Sequence, residues 1–314
     1  MKPPIFSQLL PIAQQQIMLL GSEPGRVFHG RGQSFPGLEW VNVDLLPPVI
    51  LITLYKECDE RSLNGLALAL SAGAAQDNPC VLLQRRYCKS ATVEPLLGTV
   101  PDNITVIEAG LQYHLDFKGL HTGLFLDMAV ARRWVAARSA GRRVLNLFAH
   151  TCAFSVVAID AGAEHVTNLD MNRPALERGR KNHHLNHLDI SRVKFLAHNL
   201  FHSWGKLKRL GPYDLLIIDP PSYQPGSFVS AVDYERVMRR IPQLLAKGGE
   251  LLVCLNDPTK ESAFLTSLLD KHCPTLDFKG RLANPVGFVD ANPERALKVI
   301  CYGQSRVGSR SINN

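Results

Sequence analysis

Two short stretches of this 314-residue chain carry the residue types best placed for chemistry. The first is Asp219-Pro220-Pro221-Ser222, directly after the apolar run Tyr213 to Ile218. Proline cannot continue a central strand, so the chain must leave its sheet there, with a carboxylate fixed at the strand's carboxyl end. Ligands of open α/β sheets gather outside those ends. A capped turn is the competing structural explanation of the same residues. The second is Asp170, which closes the strand-like run His165 to Leu169. It follows an earlier strand-to-helix turn by about 20 residues, the separation at which doubly wound sheets place an acceptor for a ribose hydroxyl.

The elements that must position Asp170 read as strand, turn, helix, turn, strand from Val144 to Asp170. Val144, Leu145, Leu147 and Phe148 form a buried-strand run interrupted by Asn146, and Phe154 to Ala161 give an apolar helix stopped by Gly162. The intervening turn is Ala149-His150-Thr151-Cys152-Ala153, without a glycine. A pyrophosphate needs glycines for close backbone approach, so this turn suits a nucleoside ligand without a diphosphate, such as S-adenosylmethionine. Spacing alone is equally compatible with an ordinary structural βαβ unit. The run Val193 to Ala197 predicts a third strand, ending in His198-Asn199. Asn199 falls where a side-chain carbonyl can accept from an adenine amino group, although loop asparagines without a ligand are equally common. The stretch Glu250 to Leu255 predicts a fifth strand, ending at Asn256-Asp257-Pro258.

Composition sets the outer bounds. The chain is 46% hydrophobic and 20% charged, with a net charge of +7 that moderately favours a polyanionic partner. Seven cysteines at irregular spacings, with no C-x-x-C, point to a reducing compartment rather than a disulfide framework. No run is long enough for a transmembrane helix, and the N-terminus makes a poor signal peptide. The expectation is a cytoplasmic protein with no membrane association. No metal site is expected: His183, His184 and His187 lack a completing ligand set and read as helix-surface histidines.

Three regions are expected. Residues 1–48 read as a turn-rich N-terminal extension containing a helix from Ser7 to Leu20 and a Gly30-Arg31-Gly32 loop. Residues 49–117 read as a small α/β domain, with its last two strands flanking Ala109-Gly110 as a hairpin and with a possible RNA-docking role. Residues 118–314 read as the nucleoside-binding domain. Asp127 is placed as the N-cap of a helix from Met128 to Ala137. The arginines along the helices read as solvated faces.

Four blocks together, HTGLFLD, LNLFAHTCAFSVVAIDAGAEHVTNLD, YDLLIIDPPS and LAKGGELLVCLND, resemble class I S-adenosylmethionine-dependent methyltransferases, and more narrowly the bacterial large-subunit rRNA methyltransferases (cytosine-C5 and guanine-N7 types). The resemblance covers about Leu111 to Tyr302. It implies a Rossmann-like seven-stranded sheet with a reversed final strand, beside a smaller N-terminal α/β domain, and S-adenosyl-L-methionine as cofactor. It also implies roles for individual residues. Thr122, Phe125 and Asp127 match the block that closes over the cofactor. Asn146, Phe148 and Thr151 match the turn that holds its methionine end, Asp170 the ribose carboxylate, and Met171 a neighbour of the adenine. Asn199 stands where the family usually has an aspartate, and Asp219 and Pro220 match the D-P-P motif between cofactor and target base.

Two departures shape the expected chemistry. Cys152-Ala153 replace glycines that many relatives carry in the turn. Cytosine-C5 enzymes need a thiolate near the end of the fifth strand, because carbon 5 is not nucleophilic until a thiolate adds to the ring. Asn256 occupies that position, and Cys254 lies two residues earlier, about 7 Å inward along a strand. The reading therefore favours a ring nitrogen such as guanine N7, with Asp219, Pro220 and Asn256 as the target-side residues. The expected partner is RNA, as 23S rRNA or a ribosomal particle, and the sequence leaves the oligomeric state, monomer or homodimer, open. The alternatives are a protein or small-molecule methyltransferase on the same scaffold, or a catalytically silent RNA-binding or ribosome-assembly factor.

Overall fold

The computed structural model describes residues 5–73, 79–90, 92–119, 121–224 and 228–304. The chain divides into two units, Met1–Val130 with Asn284–Pro293, and Ala131–Ala283 with Glu294–Asn314.

The first unit is built on a five-stranded sheet of β1 (Gly25–His29), β2 (Val41–Leu46), β3 (Val49–Leu54), β4 (Cys80–Arg85) and β5 (Val93–Leu97), in that order. Helices α1 (Leu9–Leu20) and α2 (Glu60–Ala72) contribute to its core. Helix α1 buries Leu9, Ala13 and Ile17, and α2 buries Leu63, Leu66, Ala67 and Leu70, one stripe of each cylinder. Asp59 caps α2 by accepting from the Ser62 amide at 2.8 Å. The antiparallel hairpin β6 (Ile104–Glu108) and β7 (Leu111–Leu115) stands apart as its own two-stranded sheet.

Several expectations for this region differ from what the structure contains. Residues 1–48 do not form a separate extension, because β1 and β2 pair into the same sheet as β3. The expected closing strands of the small sheet are the detached hairpin, and the strand that pairs with β4 is β5, whose Pro95 is compatible with its edge position. The boundary falls near residue 130 rather than 118, and the segment 284–293 returns to the first unit. Gly30-Arg31-Gly32 is a 3-10 turn rather than an open loop. A Cβ on Gly32 would stand 2.1 Å from the Val289 carbonyl oxygen, so glycine is required there for close chain approach. Arg31 lies over the Tyr55 ring at 4.5 Å.

The second unit carries a seven-stranded sheet. It comprises β8 (Arg143–Leu147), β9 (His165–Asp170), β10 (Val193–Ala197), β11 (Tyr213–Ile218), β14 (Leu245–Leu255), β15 (Leu276–Leu282) and β16 (Lys298–Gln304), with the two-residue strands β12 (Tyr223–Gln224) and β13 (Phe228–Val229) forming a separate ladder. The order is β10-β9-β8-β11-β14-β16-β15. The first five strands are parallel, and β16 runs antiparallel to both neighbours. This is the Rossmann-like arrangement with a reversed last strand. Its strands read as continuous apolar runs because both faces are buried: Leu145 and Leu147, and Val144 and Asn146 on the alternate positions, are all at or below 1% exposure. Helix α4 (Ala153–Asp160) is buried from Phe154 through Ile159, and Gly162 after it takes a positive φ of 85°. Helix α5 (Arg173–Leu185) begins on Asn172, whose side chain accepts from the Ala175 amide, with Pro174 in the first turn.

Basic residues around the central strands are paired rather than simply solvated. Arg138 and Arg142 share Glu250, and Arg143 meets Asp214 at 3.1 Å. His183 is not a surface residue: it is fully buried and hydrogen-bonded to Ser155 and the Gly179 carbonyl. Among the described residues no helix is long and apolar enough to cross a membrane, and no cluster of three potential metal ligands occurs.

Candidate functional site

Parallel strands deliver their last residues to one edge, and the sequence's candidates are concentrated there. Asn146 is the penultimate residue of β8, Phe148 and Thr151 lie in the turn after it, and Asp170 ends β9 with Met171 following. Asn199 comes just after β10, Asp219 and Pro220 follow β11, and Asn256 follows β14. The second unit thus brings nine of the expected residues to the carboxyl edge of its sheet. Thr122, Phe125 and Asp127 belong to the first unit. Asp127 is not a helix cap: it sits inside a 3-10 turn, Leu126–Met128, ahead of helix α3 (Ala129–Ala136). Phe125 is 40% exposed, with its ring 5.4 Å from that of His121.

The turn after β8 has an unusual backbone. Phe148, His150 and Cys152 have φ of 60°, 46° and 59°, so three alternate residues are left-handed although each bears a Cβ. Asp170 anchors this turn, since one carboxylate oxygen accepts from the His150 amide at 2.8 Å and the other from the Asn172 amide at 2.7 Å. Burial raises the Asp170 pKa above the ordinary aspartate value, and those two amides offset only part of that cost. Cys152 is fully buried, and burial, with the Asp170 charge adding to it, pushes its thiol well up, so it is inert.

Beneath the turn runs a chain of buried hydrogen bonds. Asn146 donates to Asn168 Oδ1 at 2.9 Å, and Asn168 donates to Ser155 Oγ at 2.9 Å. His183 Nδ1 lies 2.7 Å from the Gly179 carbonyl and must donate to it, leaving Nε2 to accept from Ser155 at 2.9 Å. Burial holds the His183 pKa below the ordinary value, consistent with a neutral ring. At the other end of the chain, Asn146 Oδ1 is buried with no hydrogen-bond partner among the described residues. An acceptor left in that state beside a left-handed turn fits a ligand bearing a cationic donor.

On the target side, Asp219 is half-buried and Pro220 is buried. Ser222, at the end of the same motif, donates to the backbone carbonyl of Asn256, which ties the loop after β11 to the end of β14. In the helix Ser230–Met238, the Tyr234 hydroxyl donates to the Cys254 carbonyl at 2.5 Å. Phe148, Phe228 and Tyr234 form an edge-to-face series at 5.2 and 5.0 Å, which packs the first turn against the ladder of β12 and β13. Cys254 is 1% exposed inside its strand, whereas Asn256 is exposed beyond it. Asn199 caps the 3-10 turn Leu200–His202, with its Oδ1 accepting from the Phe201 amide at 2.8 Å. The carbonyl expected to face an adenine is therefore engaged locally.

Sequence reasoning missed Ser222, Phe228, Tyr234 and the Ser155–His183 pair. Ser222 had a signal in its place at the end of Asp-Pro-Pro-Ser. The others are recognised only through contacts distant in sequence.

A family model described as S-adenosylmethionine-dependent methyltransferase matches residues 25–303. The ribosomal RNA large subunit methyltransferase I of Aeromonas salmonicida is 29% identical over 207 residues, covering 64% of this chain and 49% of that protein. The ribosomal RNA large subunit methyltransferase K/L of Shewanella loihica is 32% identical over 235 residues, covering 70% of this chain and 33% of that protein. The chain therefore spans about half the length, or less, of these relatives. Among solved structures, a methyltransferase complexed with S-adenosylhomocysteine superimposes with a TM-score of 0.85 at 22% identity, over 96% of this chain and 82% of the other. An S-adenosylmethionine-dependent methyltransferase from Streptococcus mutans gives a TM-score of 0.83 at 22% identity, with the same coverage.

Proposed function

Because the chain belongs to the S-adenosylmethionine-dependent methyltransferase family, we propose that it methylates a base of large-subunit ribosomal RNA, in 23S rRNA or a ribosomal particle, in the cytoplasm. The favoured acceptor is a ring nitrogen such as guanine N7. One observation carries this choice: Cys254 is sealed inside β14, and the exposed residue beyond the strand is Asn256, without a thiol. Cytosine C5 requires a thiolate that adds to the ring, whereas guanine N7 already offers a lone pair and needs no general base.

S-adenosylmethionine, when bound, supplies an electrophilic methyl group on a sulfonium centre. The residues of the second unit fit it. Asp170 is a carboxylate for the ribose hydroxyls, Met171 is 43% exposed beside it for contact with the adenine, and Asn146 Oδ1 is an unused acceptor for the ammonium of the methionine end. Phe148 and Thr151 shape the turn at that end. Asn199 serves the adenine amino group through its side-chain carbonyl, which keeps a second lone pair beside the one that accepts the Phe201 amide. Asp219, Pro220 and Asn256 orient the target base, and Ser222 holds those two segments in register.

The test is calorimetric titration with S-adenosylhomocysteine, for the wild type and Asp170→Ala, followed by transfer of labelled methyl groups to rRNA and mass mapping of the product. Micromolar binding lost in Asp170→Ala, with label on a guanine, supports the reading. Absence of cofactor binding with retained RNA binding indicates a silent RNA-binding factor. Cofactor binding without salt-dependent RNA affinity indicates a protein or small-molecule substrate.

A further inference from the structure

The first unit contains a cavity of about 130 Å³ over the sheet face opposite its helices. Strand alternation places Val41, Val43 and Leu45 of β2, and Ile50, Ile52 and Leu54 of β3, in the helix-side core. The intervening residues of β2, β3 and β4 face the cavity instead. Asn42, Thr53 and Gln84 are direct cross-strand partners, so they form one row of amide, hydroxyl and amide across three strands, with neighbours about 4.8 Å apart.

All three are buried, at 4%, 6% and 5% exposure. Three neutral polar side chains in a row are costly on a buried sheet face unless something polar meets them. Two of them make long hydrogen bonds within the fold. Asn42 Oδ1 accepts from the Arg31 amide at 3.3 Å, and Gln84 donates to the Gly119 carbonyl at 3.4 Å. Asn42, Thr53 and Gln84 all line the cavity.

The charge around the cavity is close to balanced. Arg26 is paired with Asp44, while Arg86 and Asp127 add one charge of each sign, which disfavours a phosphate dianion. Tyr55, Phe125 and Phe288 supply aromatic walls. Neutral donors and acceptors along a flat floor, with aromatic sides, suit the edge and faces of an uncharged heterocycle. Sequence-specific RNA recognition uses such pockets for unstacked bases.

We propose that this cavity takes one unstacked RNA nucleobase, read by the row Asn42, Thr53 and Gln84. The assignment rests on the RNA-methyltransferase reading above and adds a base-selecting site in the first unit.

The test uses the full chain saturated with S-adenosylhomocysteine and four fluorescently labelled single-stranded RNAs of equal length, one per base, so that phosphate charge is constant. The comparison is among wild type, Thr53→Val, which keeps the shape without the hydroxyl, and Thr53→Ser, which keeps the hydroxyl. The wild type is expected to prefer one base, Thr53→Val to weaken that preference roughly three- to tenfold, and Thr53→Ser to retain it. Equal wild-type affinity for all four RNAs, or a preference that survives in Thr53→Val, overturns the proposal and leaves the methyltransferase reading standing. Weaker S-adenosylhomocysteine binding by Thr53→Val also overturns it, by assigning the cavity to the cofactor. No RNA binding by a wild type that still binds S-adenosylhomocysteine removes the RNA reading itself, and this proposal with it.

Discussion

The turn after β8 makes a quantitative prediction through its contact with α5. A Cβ built on Gly179 would lie 2.4 Å from Cys152 Sγ and 2.8 Å from Cys152 Cβ, while Cys152 itself is fully buried and left-handed. The side chain sits on the turn and the glycine sits on the facing helix. Gly179→Ala alone gains about 1 kcal/mol of helix propensity but incurs an overpacking cost of about 1–3 kcal/mol, because Cys152 has no room to move aside. The net effect is a destabilisation of roughly 0–2 kcal/mol. Cys152→Gly alone is nearly neutral. It relieves about 1–2 kcal/mol of left-handed cost, offset by chain entropy of about 0.5–1 kcal/mol and by the loss of a small buried side chain worth about 1 kcal/mol.

In the double variant both Cys152 contacts are gone, only the 3.2 Å approach to the Thr151 carbonyl carbon stays, and the new methyl group occupies part of the vacated space. Gly179→Ala should then stabilise by about 1 kcal/mol, reversing its sign and giving a coupling energy of about 1–3 kcal/mol. Equilibrium urea denaturation of the four proteins measures this directly. Additivity within about 0.5 kcal/mol would refute the argument that Cys152 and Gly179 compete for one volume.

The remaining predictions concern the hydrogen-bonded groups of the site. Ribose hydroxyls favour the ionised form of Asp170, whose pKa is raised by burial in the free protein. Affinity for S-adenosylhomocysteine should therefore be full above that raised value and fall as pH drops below it, by at most about tenfold per pH unit, a dependence absent in Asp170→Asn. A pH-independent wild-type affinity down to the ordinary aspartate range would contradict it. Ser155→Ala leaves Asn168 Nδ2 and His183 Nε2 without their shared partner and should cost about 2–4 kcal/mol by chemical denaturation. Because His183 is held below its unfolded pKa of about 6.5, its stabilising contribution is complete above that pH and is lost as pH falls through the folded value; His183→Gln should flatten this slope. Ser222→Ala releases the tie to Asn256 and should lower kcat by up to about 100-fold, with cofactor affinity unchanged in calorimetry.

The sheet of the second unit was legible because its central strands are buried on both faces and end at proline or small-residue turns, as at Ile218-Asp219-Pro220 and Leu147-Phe148-Ala149. The edge positions of Asp170, Asp219 and Asn256 follow from those strand ends. In the first unit, β1 is short and opens on Gly25 directly after Pro24, and β5 contains Pro95, so local signals favoured turns where cross-strand pairing produced strands. The return of residues 284–293 had no local signal at all, because it rests on pairings such as Gln33 with Asp290. His183 looked solvent-facing because His184, Lys181 and Arg180 surround it in sequence. Its burial depends on Ser155, in another helix 28 residues away.

The missing glycines are the most informative mismatch, because glycine in such a turn serves two separate purposes. It tolerates a left-handed backbone, and it leaves space beside the turn. Here the left-handed backbone is present at 148, 150 and 152 without glycine, and the space is supplied from across the interface by Gly179. The strain of that arrangement is held at Asp170, whose carboxylate receives the His150 amide. Asp170 is thus both the ribose acceptor of the proposed function and the anchor of the turn at the methionine end. Loss of binding in Asp170→Ala could arise from either role, whereas Asp170→Asn keeps one carbonyl oxygen that can accept the His150 amide while removing the charge. If the carboxylate acts mainly as the ribose acceptor, both variants lose affinity alike. If anchoring dominates, Asp170→Asn retains most of it, and the His150 backbone rather than the Asp170 charge is what this site cannot do without.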